Sequence, residues 1–226
     1  GAAGGAGGGA GGVGGNTLLV LWDTEYTTWE GAHQRHWQGP GEAREVVQIA
    51  AIKVDASDGY RELASWSALV KPRKNPQLSD YFVQLTSITN EQVAQEGIDF
   101  KDALAGFIHF AHEGGGGGRP LPAWSYGKSD ALVMEETARV QGVAYDPAAL
   151  FSGGGGVNGD GGGGLHNIRP IFGRCGLEPH RWTSGSIHRA LGLDMSGHVH
   201  NALFDVRSLR ATLAELQKRH VHKCGV

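Results

Sequence analysis

Apolar residues form two kinds of run in the first third of the chain. The run over 17–25 is continuous until it meets Asp23 and Glu25, and the run over 45–54 is rich in β-branched residues. Residues 60–70 then alternate between polar and apolar types. Such runs are typical of β-strands, and a short Asp-Gly turn between the last two favours an antiparallel hairpin. We therefore predict a first strand with a hairpin beside it.

Helical patterns follow the hairpin. Residues 89–92 (Thr-Asn-Glu-Gln) have the form of a capping box, which predicts that a short helix begins there. Apolar residues over 100–111 and 201–218 recur at spacings of three and four, as in amphipathic helices. Between these two helices we predict a short strand over 120–126 and a helix capped by Ser129.

Shorter elements complete the pattern. Residues 166–175 and 186–191 favour short helices, and a fifth strand is predicted near Leu165. Strands and helices mixed in this order predict an α/β fold, in which a mixed sheet of about five strands is flanked by helices.

Glycine divides the chain into segments. The 226 residues include 38 glycines, far above the usual share of about 7%, and most of them are clustered. Clustered glycine cannot bury apolar surface, so these segments are predicted to be flexible. We expect a flexible Gly/Ala-rich segment over 1–16, one domain over 17–218 with Gly-rich loops at 114–118 and 153–164, and a tail over 219–226.

Charge and cysteine content narrow the class of protein. A net charge of −3 argues against a broad basic surface for duplex nucleic acid. Cys175 and Cys224 have no C-x-x-C spacing, so neither a disulfide framework nor a structural zinc site is indicated. No stretch approaches the ~20 apolar residues of a membrane span. We expect an intracellular, cytoplasmic protein with no membrane partner, although a chain that begins with Gly1 leaves targeting signals unreadable.

Asp23 and Glu25 are the first candidates for chemistry. Alternate residues of a strand point to the same face, so the two carboxylates would lie side by side. Two like charges at the end of a core strand are unfavourable unless one is protonated or a cation lies between them. A divalent metal is the usual solution, and the simpler alternative is a strand that ends in solvent.

Further acidic and basic groups occur at the ends of later elements. Asp130 follows the predicted strand at 120–126, and His200 and Asp205 lie at the start of the last helix. An all-oxygen donor set suits Mg²⁺ or Mn²⁺ better than zinc. Two such ions can stabilise an in-line displacement at phosphorus, and a partly neutral imidazole can act as the base.

These motifs resemble a known family. Residues 23–25 (Asp-Thr-Glu), the later Asp130 and residues 200–205 (His-Asn-Ala-Leu-Phe-Asp) are similar to the three exonuclease motifs of the DEDDh branch of the DnaQ-like 3′-to-5′ exonucleases. The strand at 45–54 and residues 85–93 also resemble that family.

The resemblance implies a ribonuclease H-like fold and two metal ions. Asp23 would bridge both ions, Glu25 and Asp205 would bind the first, and Asp130 would reach the second. His200 would deprotonate the attacking water, and nucleoside 5′-monophosphates would be released.

Asp130 has two rivals as the carboxylate of the second motif. It lacks the preceding His-Asn of many relatives, and Asp146 and Asp160 are alternatives. We favour Asp130 because it alone follows a predicted strand and opens a predicted helix.

A loop after the first motif supplies candidates for substrate binding. Thr24 and Tyr26 flank the carboxylates, as the family implies for residues that touch the terminal nucleotide. The aromatic and guanidinium groups of Trp29, Arg35 and Trp37 can stack on unpaired bases, or the two tryptophans can simply pack the loop onto the domain. Four later arginines are candidate contacts to phosphate groups, and the alternative is that they are scattered surface residues. They are Arg169, Arg174, Arg181 and Arg189.

The sequence therefore favours a metal-dependent 3′-to-5′ exonuclease acting on single-stranded nucleic acid. RNA or short oligonucleotides are slightly preferred over DNA as the substrate. The alternatives are a catalytically silent nucleic-acid-binding or scaffold module of the same fold, and a polymerase proofreading subunit. A homodimer is also compatible with the sequence.

Overall fold

The structure, a computed structural model, describes residues 18–114, 120–147 and 165–219. The predicted flexible segments and tail fall wholly or mostly outside this range; they are 1–16, 114–118, 153–164 and 219–226. Asp160, one of the rival carboxylates, also lies outside the described residues.

Five strands form one mixed sheet with the order β3-β2-β1-β4-β5. The two hairpin strands pair antiparallel with β1 and with each other, whereas β4 and β5 continue the sheet in parallel on the other side of β1. The predicted mixed α/β sheet of five strands is confirmed. The strands are β1 Leu18–Tyr26, β2 Val46–Asp55, β3 Arg61–Leu69, β4 Ala123–Ser125 and β5 Leu165–Asn167.

Helices cover the sheet on both faces. The described α-helices are α1 Asp80–Thr86, α2 Asn90–Glu96, α3 Phe100–His112, α4 Ser129–Gln141, α5 Arg169–Arg174 and α6 Ala202–Lys218, with 3₁₀ turns at Pro179–Arg181 and Ile187–Leu191. None of these helices is long and apolar enough to cross a membrane. The capping box that opens α2 is present, since Thr89 and Gln92 satisfy each other's backbone amides.

The alternation along β1 assigns its two faces to different helices. Val20 and Trp22 pack in the core that α3 and α4 cover. Leu19 and Leu21 pack on the other face, in the core that α6 covers. Asp23 and Glu25 continue the alternation of Leu19 and Leu21, so the strand directs both carboxylates towards α6.

The structure corrects several local predictions. Ser129 is the first residue of α4 and makes no capping hydrogen bond, because Lys128 occupies the cap position. Helix α1 was missed, although the Ser79 hydroxyl caps it by accepting the Phe82 amide. Glu45 precedes β2 instead of opening it. Cys175 is disulfide-bonded, a link that cysteine spacing did not indicate.

Candidate active site

The end of β1 forms the floor of a cleft with a volume of about 340 Å³. Asp23 and Glu25 both line this cleft, yet only 5% and 8% of their surfaces are exposed. Their strand is paired on both sides, so the two side chains are held on one face. The carboxylates therefore lie side by side in a recess and not in open solvent.

Asp130 joins this floor from the first turn of α4. The parallel pairing of β1 with β4 brings the loop after β4 next to the end of β1. Thr24 fixes the carboxylate, because its amide and hydroxyl donate to Oδ1 at 3.1 and 2.8 Å. The rival Asp146 is exposed and does not line the cleft.

Asp205 completes the floor from the first turn of α6 and is 1% exposed. The Ser184 hydroxyl donates to Oδ2 at 3.0 Å, and the His200 amide donates to Oδ1 at 3.2 Å. Gly185 passes so close that a Cβ there would lie 2.2 Å from Oδ1. The loop before α6 thus positions Asp205 in two ways. The Ser184 hydroxyl donates a hydrogen bond to the carboxylate, and Gly185, which has no side chain, leaves room for it.

His200 lies beside Glu25 and Asp205, and one ligand atom from each of the three falls within 4.8 Å of the others. Its backbone is left-handed, with φ of 69°, which is an uncommon conformation for a residue other than glycine. The following residues hold this turn in place, since Gln48 accepts the Ala202 amide at 2.9 Å. Burial, and to a smaller extent the charge of His198, lower the pKa of His200, so its imidazole is neutral at pH 7.

Burial also places a strong electrostatic cost on the floor. It is the largest cause of the raised pKa values of Asp23 and Glu25, and repulsion from neighbouring carboxylates raises both further. Burial likewise raises the pKa of Asp130 to about 6 and that of Asp205 to about 7. Among the described residues, no lysine or arginine forms an ion pair with any of the four.

The residues of the floor fit a hard divalent cation. Four buried carboxylates offer oxygen donors and negative charge that no described protein cation neutralises. Mg²⁺ and Mn²⁺ prefer such donors, and a bound cation would favour the ionised form of each carboxylate. The floor and the neutral His200 thus form a site that can hold metal and accept a proton.

Comparisons with known proteins agree with this geometry. The RNase_T exonuclease family model matches residues 20–114, a range that contains Asp23 and Glu25. Human ERI1 exoribonuclease 2 is 30% identical over 95 residues, which is 42% of this chain and 13% of that protein. The chain thus spans about an eighth of the length of this curated relative.

Similarity of structure extends beyond the matched sequence. The nuclease domain of 3′hExo, a DEDDh family member solved with rAMP, superposes with a TM-score of 0.72 at 20% identity, over 90% of this chain and 93% of that one. The chain therefore has the fold of this DEDDh nuclease. A 3′-exonuclease solved in a study of histone mRNA stem-loop recognition also has this fold, with a TM-score of 0.72, 17% identity and coverage of 90% and 83%.

The predicted substrate residues lie in different places. Tyr26 and Trp37 line the cleft with ring centroids 5.8 Å apart, and Thr24 lies at the floor, where it holds Asp130. Trp29 and Arg35 do not line the cleft. Arg35 is exposed and pairs with Glu42.

Several residues that line the cleft were not predicted as site residues. Helix α1 contributes an aromatic and apolar edge, and the segment after α5 contributes hydroxyl and indole groups. No local pattern marks these residues, because they reach the cleft only through tertiary packing. The additional lining residues are Tyr81, Phe82, Leu85, Tyr126, Trp182 and Ser184. Arg169, one of the arginines named above as candidate phosphate contacts, also lines the cleft.

Proposed function

We propose that this chain is a divalent-metal-dependent exonuclease that shortens single-stranded RNA from the 3′ end and releases nucleoside 5′-monophosphates. The observation that carries the proposal is the convergence of Asp23, Glu25, Asp130 and Asp205 with the neutral His200 in one cleft. The match to the exonuclease family model supports phosphodiester hydrolysis. RNA is favoured over DNA for two reasons. Human ERI1 exoribonuclease 2 is named an exoribonuclease, and the nuclease domain of 3′hExo was solved with rAMP bound.

The four carboxylates would hold two Mg²⁺ or Mn²⁺ ions. Bound there, such ions supply Lewis-acid stabilisation of the charge that develops on the phosphoryl oxygens and on the leaving oxygen. The protein's own part is to fix the carboxylates, which it does through Thr24 for Asp130 and through Ser184 for Asp205. Removal of either donor would loosen the ligand it orients.

His200 would act as the general base. Its lowered pKa keeps the ring nitrogen free to take a proton from water, whose oxygen then bonds to phosphorus as the bond to the 3′-oxygen of the shortened strand breaks. The left-handed turn at His200 directs the ring into the cleft, where it lies beside Glu25 and Asp205. Tyr26, Trp37 and the α1 edge formed by Tyr81 and Leu85 offer apolar faces for the terminal base.

The test is a degradation assay with the full chain. RNA and DNA strands of matched sequence carry a 5′ label and are incubated with Mg²⁺, with Mn²⁺ or with EDTA. We expect a ladder that shortens stepwise from the 3′ end, faster for RNA, and absent in EDTA and in Asp23→Ala. Asp146→Ala is the matched control, since Asp146 is exposed and outside the cleft. Trimming that persists in Asp23→Ala or in EDTA would contradict the proposal, and tight binding without trimming would favour a silent module.

A further inference from the structure

Arg169 is the one lysine or arginine among the described residues that line the cleft. The same cleft holds four buried carboxylates, so its lining carries a large excess of negative charge. A nucleic-acid strand is a chain of phosphates, which this floor repels everywhere except where a cation compensates. The position of a single guanidinium in such a cleft is therefore informative about where the strand runs.

The side chain of Arg169 is held in place before any ligand binds. Its guanidinium lies over the ring of Tyr126 at 5.3 Å and donates to the Pro179 carbonyl at 3.3 Å. The Tyr126 hydroxyl donates to the same carbonyl at 2.6 Å, which fixes the ring below the guanidinium. The backbone is fixed as well, because Asn167 accepts the amides of both Arg169 and Gly127, each at 3.0 Å.

Most of the hydrogen-bonding capacity of this guanidinium is left over. The group has five N–H donors, and Pro179 accepts one of them. No carboxylate among the described residues forms an ion pair with Arg169, although most other arginines whose contacts are described have one. Guanidinium groups with free paired donors are well suited to bidentate contact with phosphate.

Arg169 is separate from the metal floor. It lies within 4.0 Å of none of the four carboxylates, so its guanidinium is not engaged by the groups that would hold metal. Its stem packs at Gly127, where a Cβ would lie 3.5 Å from Arg169 Cδ, and Gly127 precedes Asp130 by only three residues. The stem of Arg169 is thus placed beside the loop that leads into Asp130.

We propose that Arg169, supported by Tyr126, forms a subsite for a phosphodiester of the bound strand that is not the one being cut. This inference rests on the proposed function and adds the path of the strand: the 3′-terminal nucleotide occupies the floor, and the upstream backbone leaves the cleft past Arg169 and Trp182. The subsite recognises the phosphate and not the base, so it is indifferent to sequence.

The test compares Arg169→Gln with Arg139→Gln. Both substitutions remove one positive charge, but Arg139 is exposed at the end of α4 and does not line the cleft. Each variant is assayed for RNA binding by fluorescence anisotropy over a series of salt concentrations, and for KM and kcat with Mg²⁺. We expect Arg169→Gln to weaken binding and raise KM about tenfold with little change in kcat, and to reduce the salt slope by about 0.7, as for the loss of one contact to a single strand.

A set of modified strands locates the contact. Each RNA carries one uncharged methylphosphonate linkage, placed at successive positions from the 3′ end. In the wild type, one linkage upstream of the terminal one should reproduce the loss seen in Arg169→Gln, and the variant should be insensitive to the modification at that linkage. Arg139→Gln should keep the wild-type pattern.

Two results would overturn the inference. Either Arg169→Gln behaves like Arg139→Gln, or it loses affinity while remaining sensitive to the same linkages as the wild type. Circular dichroism and the melting temperature identify a variant that fails to fold, in which case Arg169→Lys, which keeps the charge but not the planar fork, is used in the same comparison. A wild type that binds RNA without shortening it would instead contradict the proposed function, and the binding data would still test Arg169.

Discussion

Two regions of this molecule bury carboxylates, and they do so in opposite ways. Glu45 is fully buried just before β2, where its two oxygens accept the backbone amides of Arg73, Lys74 and Asn75 at 2.8, 2.8 and 3.1 Å. The Gln141 side chain adds a fourth donor at 3.3 Å. The negative charge of Glu45 is therefore satisfied by hydrogen bonds within the protein, and the carboxylate fastens the segment after β3 to the start of β2.

The cleft floor instead buries four carboxylates close together. Asp130 and Asp205 receive hydrogen bonds from Thr24, Ser184 and the His200 amide, but these do not offset the burial that raises their pKa values to about 6 and about 7. A buried carboxylate with its own amide donors serves structure. A group of them with raised pKa values is suited to an external cation, and this contrast separates a binding site from an anchor.

The contrast is sharpest in a pair of substitutions. We expect Asp23→Asn to lower kcat by on the order of 10³-fold, because it removes a central metal ligand, and to leave the metal-free protein at least as stable as the wild type. Glu45→Gln should do the reverse and lower the free energy of unfolding by about 3 kcal/mol while the folded fraction keeps its activity. Urea unfolding and a strand-shortening assay on both variants measure the two effects. If Asp23→Asn destabilised the metal-free protein, the distinction between the cleft floor and the Glu45 site would be wrong.

His200 gives the next largest effect. We expect His200→Gln to lower kcat about 10²- to 10⁴-fold. Because the base acts in its neutral form, the wild-type rate should fall as the pH drops through a pKa below 6.5, the ordinary value for histidine. The variant should lose that acidic limb. Retention of the same pH profile in His200→Gln would assign the limb to another group.

Gly185 tests how the floor is positioned. In Gly185→Ala the new methyl group would meet Asp205 Oδ1, so the carboxylate must move away. We expect the affinity for Mn²⁺ to fall by about 10- to 100-fold. Gly173→Ala is a suitable control, because a Cβ at that position meets no neighbouring atom within 4 Å. Equal Mn²⁺ affinity in the two variants would show that Asp205 tolerates the displacement.

The sequence predicts the floor better than the cleft walls, for a physical reason. Asp23 and Glu25 follow from strand alternation, and Asp205 from its place in a helix whose apolar periodicity is strong. Ser184 donates to Asp205 although 21 positions separate the two residues in the sequence. Ser184 lies in a loop, and no periodicity of the sequence predicts the conformation of that loop. Glu45 has the sequence pattern of a strand residue in a β-branched run. Its structural role depends on backbone amides that lie 28 to 30 positions later and donate to its carboxylate.

A further predicted effect is on stability without metal. Asp130 and Asp205 have pKa values of about 6 and about 7 in the folded protein, above their ordinary value of 3.8, so between these limits the folded state binds more protons than the unfolded state. The free energy of unfolding should therefore fall as the pH rises from about 4 to about 7 in EDTA. Saturating Mn²⁺ should flatten this dependence. Urea unfolding at each pH, with and without Mn²⁺, measures it, and a metal-free protein that gains stability over this interval would contradict the assignment.

The central claim is that the charge left unsatisfied at the floor exists to bind divalent cations. Calorimetric titration of Mn²⁺ at pH 7, in two buffers of different ionisation enthalpy, tests it most directly. We predict that the wild type and Glu45→Gln bind two ions and release protons as they do so, because raised carboxyl pKa values fall on binding. Asp23→Asn should bind fewer ions with much lower affinity. Absence of binding to the wild type, or equal binding to Asp23→Asn, would contradict the account.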